Sequence, residues 1–321
     1  MTDKKNLENI KKLREITGVG FSDCKLAITE NNGDIEKSIE YLRKKGIAKA
    51  SKKMSRVAAE GLVLLSEKEG NVSVIEINSE TDFVAKNKDF IFFCKEVSEI
   101  NFKNKSNLDS LKSSSMKNGK TVEENLISLI SKIGEKITIR RSKYLDNKGL
   151  NFTYVHNSLE KNIGKVVAIV QLSQNSKKDL KEIGSKLAMH VAAQAPIAID
   201  ENGIKKEVLD KELEIIKEEL KNSGKKTEMI EKIANGKIKK FISDNTLLNQ
   251  LWIMDTKMKV SQIIKKYSEG EDIKVIDSAS TLTKNLPSTT PAIAQGSPFR
   301  FTDTRLDKIR LSSFSKLFSI R

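Results

Sequence analysis

This sequence is short of what enzymes and disulfide scaffolds are built from. Its 321 residues include two cysteines, Cys24 and Cys94, and two histidines, His156 and His190. Two cysteines are too few for a disulfide framework, and neither they nor the histidines fall at a metal-ligand spacing. There is no Gly-rich phosphate loop, no G-x-S-x-G elbow and no H-E-x-x-H helix. Nothing therefore calls for a cofactor or a resident metal, and a long chain without a catalytic constellation points to a binding protein. Long apolar runs are missing as well, since none approaches the roughly 18 residues of a membrane span. The first residues, Met-Thr-Asp-Lys-Lys-Asn, lack the apolar stretch of a signal peptide. The expected location is the cytoplasm, or the matrix of an organelle of bacterial descent.

What is abundant is charge. Charged residues make up 31% of the chain and the formal net charge is +15. A basic excess of this size is a candidate footprint for nucleic acid. The lysines, however, are interspersed with acids along helical stretches such as KKEVLDKELEIIKEELKNSGKK (205–226). That pattern fits a solvated helix face with i,i+4 pairs, and no basic groove carries stacking aromatics.

Read in order, the chain changes period several times. Residues 5–46 give three short helices: Leu7, Ile10 and Leu13 share one face of the first, which Gly18 and Gly20 break. Ser22 is placed to N-cap a second helix carrying Cys24, Ala27 and Ile28, and Asp34 a third, which ends before Gly46. Residues 47–60 are small and basic and read as a linker with room for some helix. From Gly61 two strands, 62–65 and 72–77, form a hairpin around SEKEGN. A helix over 88–100 follows, then a Ser/Asn/Lys-rich loop over 101–120. Thr121 and Glu124 have capping-box spacing for a helix over 122–133, stopped by Gly134, and 136–145 alternates as a strand. A second hairpin over 151–173 and a helix over 177–193 repeat the hairpin-then-helix order, which suggests a duplicated half-domain. Residues 200–241 read as a helical hairpin interrupted at Gly224 and Gly236.

Between the first hairpin and its helix lies Ser79-Glu-Thr-Asp-Phe-Val-Ala-Lys-Asn-Lys88. A carboxylate beside an aromatic ring on a turn can present one charge and one wedge to a partner. On residue chemistry alone the other assignment stays open: Phe83 capping the local core and Asp82 N-capping the next helix.

Three segments carry a resemblance. NSETDFVAKNKDF (78–90), LREITGVGFSDCKLAITENNGDIEKSIEYLRKKG (13–46) and GSKLAMHVAAQAP (184–196) are similar, in order and spacing, to the elongation factor Ts family. Members of that family are guanine-nucleotide exchange factors for elongation factor Tu, and the similarity runs from about Lys5 to Asp277. It implies an α+β fold: an N-terminal three-helix module like a ubiquitin-associated domain (1–46), a linker (47–60), and two similar hairpin-plus-helix subdomains. These would span 61–145 and 146–277, the second bearing a helical hairpin over about 200–241. It implies binding to elongation factor Tu, GDP-bound and nucleotide-free, without covalent chemistry. Thr81, Asp82, Phe83 and Val84 would displace Mg²⁺ from that partner. Lys86, Leu13, Phe21, Ile163, Gly164 and His190 match further partner-contacting positions; apart from the family, Leu13 and Phe21 read as core or loop anchors and His190 as a partly buried histidine among alanines. The alternative is a basic ribosome- or RNA-associated binding protein without exchange activity. After Asp277 the family continues with a strand that this sequence does not match. The second subdomain is therefore expected to be short of it, with 278–321 a disordered basic tail carrying a net +5.

Overall fold

The computed structural model describes residues 2–282 except 18, 54, 174–178 and 224–226. Helices and sheets are mixed, an α+β arrangement. The chain forms two compact units, one of residues 1–66 with 73–142 and the other of 67–72 with 143–282.

The first unit begins with three helices, α1 (Thr2–Thr17), α2 (Phe21–Glu30) and α3 (Ile35–Lys53). Their apolar positions converge on a small core of Ile10, Leu13, Val19, Cys24, Ala27, Ile28 and Leu42. The α2 cap is Gly20 rather than Ser22: the Cys24 N–H already bonds to the Gly20 carbonyl, so the helix starts two residues earlier. Asp34 does cap α3, accepting the Lys37 N–H at 3.0 Å. The expectation that α3 stops before Gly46 is corrected, because the helix runs on to Lys53 and takes up the helical part of the expected linker. A helical glycine costs only about 1 kcal/mol, too little to stop a helix held by other contacts. A Cβ at position 46 would stand 3.6 Å from the Ser131 side chain. Arg43 reaches Glu124, and the Lys53 Nζ donates to the Gly134 carbonyl. These polar contacts hold α3 along the helix that contains Ser131 and the turn that ends it.

That helix belongs to the α+β part of the unit: β1 (Glu60–Lys68), β2 (Asn71–Ser79), α4 (Asp82–Ala85), α5 (Lys88–Lys103), α6 (Leu108–Ser113), α7 (Val122–Ile133) and β3 (Ile137–Leu145). β3, β2 and β1 lie side by side in that order. The expected loop over 101–120 contains α6. Asn and Ser favour loops, but Asn is equally an N-cap: the Asn107 side chain accepts the N–H groups of Asp109 and Ser110 at 3.1 and 3.0 Å. The capping box of α7 forms as its spacing predicts, and Gly134 ends the helix in the left-handed region at φ 86°.

The second unit is built on β4 (Leu150–His156), β5 (Ile163–Gly164), β6 (Val166–Leu172) and α8 (Lys181–Gln194). It continues with α9 (Lys206–Asn222), α10 (Thr227–Asn245), β7 (Leu251–Trp252), β8 (Asp255–Lys259), α11 (Val260–Ser268) and β9 (Val275–Leu282). β6 is the centre of a three-stranded antiparallel sheet, between β4 and β9, and every one of its residues is buried. Its Val166, Ala168, Val170 and Leu172 face Leu187, Ala188 and Val191 of α8 and Ile263 and Ile264 of α11. β9 overturns the expectation of a missing strand. It pairs with β6 in register Ile169↔Ala279, using the serine- and threonine-rich run expected to begin the tail. Thr281 is 1% exposed, and its β-branched side chain suits a strand as well as a linker. The rest of the expected tail, 283–321, lies outside the described residues.

α9 and α10 form the helical hairpin, sealed by Ile216, Leu220, Ile230 and Ala234. Gly236 does not interrupt it; α10 passes straight through, with open space where a side chain would be. The expected i,i+4 pairs on this stretch are instead cross-helix pairs, with Lys237 3.3 Å from Glu219 and Lys217 4.0 Å from Glu231. Among the described residues, no helix is long and apolar enough to cross a membrane.

One buried charge stands out in the first unit. Glu76 of β2 is 0% exposed, and its carboxylate accepts from Arg140 Nη1 at 3.1 Å and from Arg141 Nε of β3. Removing one partner of such a group leaves a desolvated charge uncompensated. Glu76→Ala is expected to cost about 3–5 kcal/mol, measured as a lowered urea midpoint, whereas Lys44→Ala, on an exposed pair, should leave the midpoint in place.

Candidate functional site

The segment after β2 makes a single helical turn, α4, preceded by Thr81 in extended conformation (φ −123°, ψ 160°). Its four residues divide sharply. Val84 and Ala85 are 5% and 2% exposed, whereas Phe83 is 78% exposed, more than any other large hydrophobic among the described residues. The assignment of Phe83 as a cap on its own core is thereby excluded. Asp82 does not cap the next helix either. That position is Asn87, whose side chain accepts the Asp89 and Phe90 N–H groups at 2.9 and 3.3 Å. Asp82 is half-exposed in the first turn of α4, and Lys86, one turn on, reaches its Oδ2 at 3.1 Å. A ring, a carboxylate and an ammonium thus stand together at the surface on one short turn.

An isolated turn of helix has no stability of its own, and this one is held from both sides. Thr81 makes no cap hydrogen bond to α4. Its hydroxyl donates instead to Glu135 Oε1 at 2.8 Å, and its N–H to Glu135 Oε2 at 3.0 Å. Reciprocally, the Glu80 carboxylate accepts the Lys136 N–H and the Arg56 guanidinium, the latter at 3.3 Å. The Lys136 ammonium closes the circuit by donating to the Arg56 carbonyl at 2.8 Å. Ser79 Oγ donates to the Thr81 carbonyl at 2.9 Å. Residues 80–81 and 135–136 therefore grip each other, with the segment after α3 tied to both. None of Glu135, Lys136 or Arg56 stood out in the sequence, because no spacing rule links a turn to an acid 54 residues downstream.

The other expected site residues separate by burial. Phe21, at the start of α2, is 44% exposed and remains available to a partner. Leu13 is 0% exposed in the three-helix core, which corrects its placement as a contacting residue. Ile163, at 4%, and Gly164 are also enclosed. A Cβ on Gly164 would fall 2.7 Å from both the His156 carbonyl oxygen and Val155 Cγ1, so this glycine is there for close packing of the turn.

His190 is corrected in the same way. It is 0% exposed, stacked on Trp252 with ring centroids 5.2 Å apart and an interplanar angle of 18°. Its Nδ1 accepts the Ile253 N–H at 3.4 Å, which puts the proton on Nε2, directed at Gln250 Oε1 at 3.0 Å. Gln250 passes the connection on by donating to the Asp244 carbonyl at 2.8 Å. Burial pushes the His190 pKa down from 6.5 to about 4, partly opposed by the Gln250 hydrogen bond. Both cysteines are buried and free, and burial pushes their thiols up, most strongly at Cys94. Among the described residues no group of three or more His, Cys, Asp or Glu is arranged to hold a metal.

Because the folded-state value of His190 lies below the unfolded one, its contribution is complete above pH 6.5 and is lost as pH falls through about 4. The unfolded chain takes up the proton first, a loss of about 3 kcal/mol over that window. Relative to His190→Gln, which has no titrating group, the wild type should lose that margin between pH 7 and pH 4. Urea unfolding followed by the fluorescence of Trp252, the single tryptophan, measures it directly.

With this geometry in hand, the chain was compared with known proteins. The family model described as "Elongation factor TS" matches residues 80–281. A curated elongation factor Ts of Rickettsia akari is 40% identical over 271 residues, covering 83% of this chain and 87% of its own length. Those of Methylorubrum extorquens and Gluconobacter oxydans are 41% and 38% identical, each over 80% of this chain and over 84% and 86% of their own lengths. The match reaches through β9 and spans the α4 turn, Glu135 and the buried His190 alike, and on that footing the chain belongs to the elongation factor Ts family and is a translation elongation factor.

Proposed function

We propose that this protein is a guanine-nucleotide exchange factor for elongation factor Tu that acts by binding alone. The observation that carries the reading is the Phe83 ring, 78% exposed beside Asp82 on a turn fixed by buried neighbours. A GTPase holds its nucleotide through a phosphate loop and through Mg²⁺ coordinated to phosphate and protein oxygens. A factor that prefers the empty state weakens nucleotide binding by the same coupling free energy, whichever binds first. Phe83 enters between elements of the partner, and the burial of its ring supplies roughly 1.5–3 kcal/mol. Asp82 brings a carboxylate that competes for polar groups around the metal and displaces it. Lys86 leaves Asp82 for a partner acid, Thr81 and Val84 hold the turn, and Phe21 provides a second grip from the same unit. Two attachments on one body make the second nearly intramolecular, which raises its effective concentration. On this reading the protein works where elongation factor Tu does, in the cytoplasm or the matrix of an organelle of bacterial descent.

The rival reading, a basic RNA- or ribosome-associated protein, has less support. Many surface lysines are matched with acids, as in Lys44–Glu40, Lys186–Glu182 and Lys237–Glu219, which dilutes any continuous positive face.

Phe83→Ala is expected to keep the fold and to slow release of a fluorescent GDP from elongation factor Tu roughly ten- to hundred-fold. Unchanged release would sink the wedge. Salt-dependent RNA binding without an effect on nucleotide release would support the rival instead.

A further inference from the structure

The α4 turn is held at its start by a carboxylate from a distant part of the same unit. Glu135 takes both donors of Thr81, the hydroxyl at 2.8 Å and the N–H at 3.0 Å. Thr81 is the residue immediately before α4, so these two bonds set the direction from which the turn departs. Val84 and Ala85 anchor the far side of the turn in the core. Between the two anchors, Phe83 has one path outward. If the Thr81 bonds are lost, the turn pivots on its buried end and the ring is no longer held in one direction. Resting on the exchange reading above, we propose that Glu135 is a positioning residue for exchange, holding Phe83 and Asp82 in the orientation that opens the partner's nucleotide pocket while touching neither nucleotide nor metal.

Three details favour this over a bond that merely stabilises the fold. First, both carboxylate oxygens are spent on one residue, a two-point contact that restricts rotation as well as separation. Second, the contact is reciprocated next door, where Glu80 accepts the Lys136 N–H, so the two chain segments are held in register and cannot slide. Third, Arg56 on Glu80 and Lys53 on the Gly134 carbonyl tie the same turn to the end of α3, the helix that leads from the Phe21-bearing bundle. A group that needs positioning to well under an ångström for its effect gains more from such support than from added contacts of its own.

The test measures GDP release from elongation factor Tu as a function of factor concentration, for the full chain. Glu135→Ala should lower the maximal rate about ten-fold, the scale of a lost charge-assisted hydrogen bond, with the half-saturating concentration within two-fold of wild type. Glu135→Gln, which keeps one acceptor, should recover part of the rate. Thr81→Val, which removes only the hydroxyl donor and is nearly isosteric, should give a smaller loss in the same direction and keeps the proposal testable if Glu135→Ala does not fold. The triple variant Glu135→Ala/Asp82→Ala/Phe83→Ala should be no slower than Asp82→Ala/Phe83→Ala, since a positioning residue then has nothing left to position. Wild-type rates for Glu135→Ala and Thr81→Val, beside a slow Phe83→Ala, would overturn the positioning role and leave the wedge standing. An effect confined to half-saturation, or one that persists in full on the Asp82→Ala/Phe83→Ala background, would overturn it too. Normal rates for Phe83→Ala would remove the exchange reading and this proposal with it.

Discussion

Val84 and Ala85 are buried directly beside a phenylalanine that is largely in water, and that contrast governs the first unit. A single helical turn cannot turn all its side chains inward. With two consecutive positions committed to the core, the residue before them must point away. An exposed aromatic ring forgoes about 1.5–3 kcal/mol of burial, a cost the folded chain bears at this turn. The hydrogen bonds around Thr81 and Glu80 make that cost sustainable, because the turn has no alternative direction in which to collapse.

The same constraint explains why α3 is longer than its glycine suggests. Continuation past Gly46 brings Lys53 and Arg56 to the turn after α7, where Gly134, Glu135 and Lys136 meet the end of β2. Helix, turn and strand end thus share one polar junction, and the outward residues Asp82, Phe83 and Lys86 leave from it. The junction is assembled from charges that each have a named partner, as is required where polar groups are partly withdrawn from water. Its neighbour in the sheet, the Glu76 cluster, follows the same rule at greater depth.

In the second unit, polar side chains are used differently. His190 is neutral, stacked and bonded at both nitrogens, and it joins α8 to β7 and to the end of α10 through Gln250. A histidine so enclosed serves as a structural crosslink whose weakness is acid. Ile163 and Gly164 likewise take their importance from close packing. Residue types that suggest contact or chemistry when met in a sequence become internal parts once the sheet and α8 are laid over them.

Much of the fold was legible in the order of residues, for reasons local to each stretch. The capping box at Thr121, the left-handed stop at Gly134, the hairpin at residues 69–70 and the doubly buried run of β6 depend on near neighbours and on period, and these the sequence determined by itself. The pairing of Asp82 with Phe83 on a turn was legible as a candidate, though local chemistry alone could not say whether the ring faced inward or outward. Only the tertiary structure decided that, because the answer depends on which surface Val84 and Ala85 find. It also decided that Gly46 and Gly236 sit inside continuous helices, that a run of serine and threonine completes a sheet as β9, and that Leu13 and His190 are enclosed. Each of these outcomes rests on a partner distant in the chain: α7 for Gly46, β6 for β9, Trp252 for His190, and Glu135 for the turn that carries Phe83. A glycine, a threonine or a histidine has the same local preferences whether or not that partner arrives, and burial is a property of the pair.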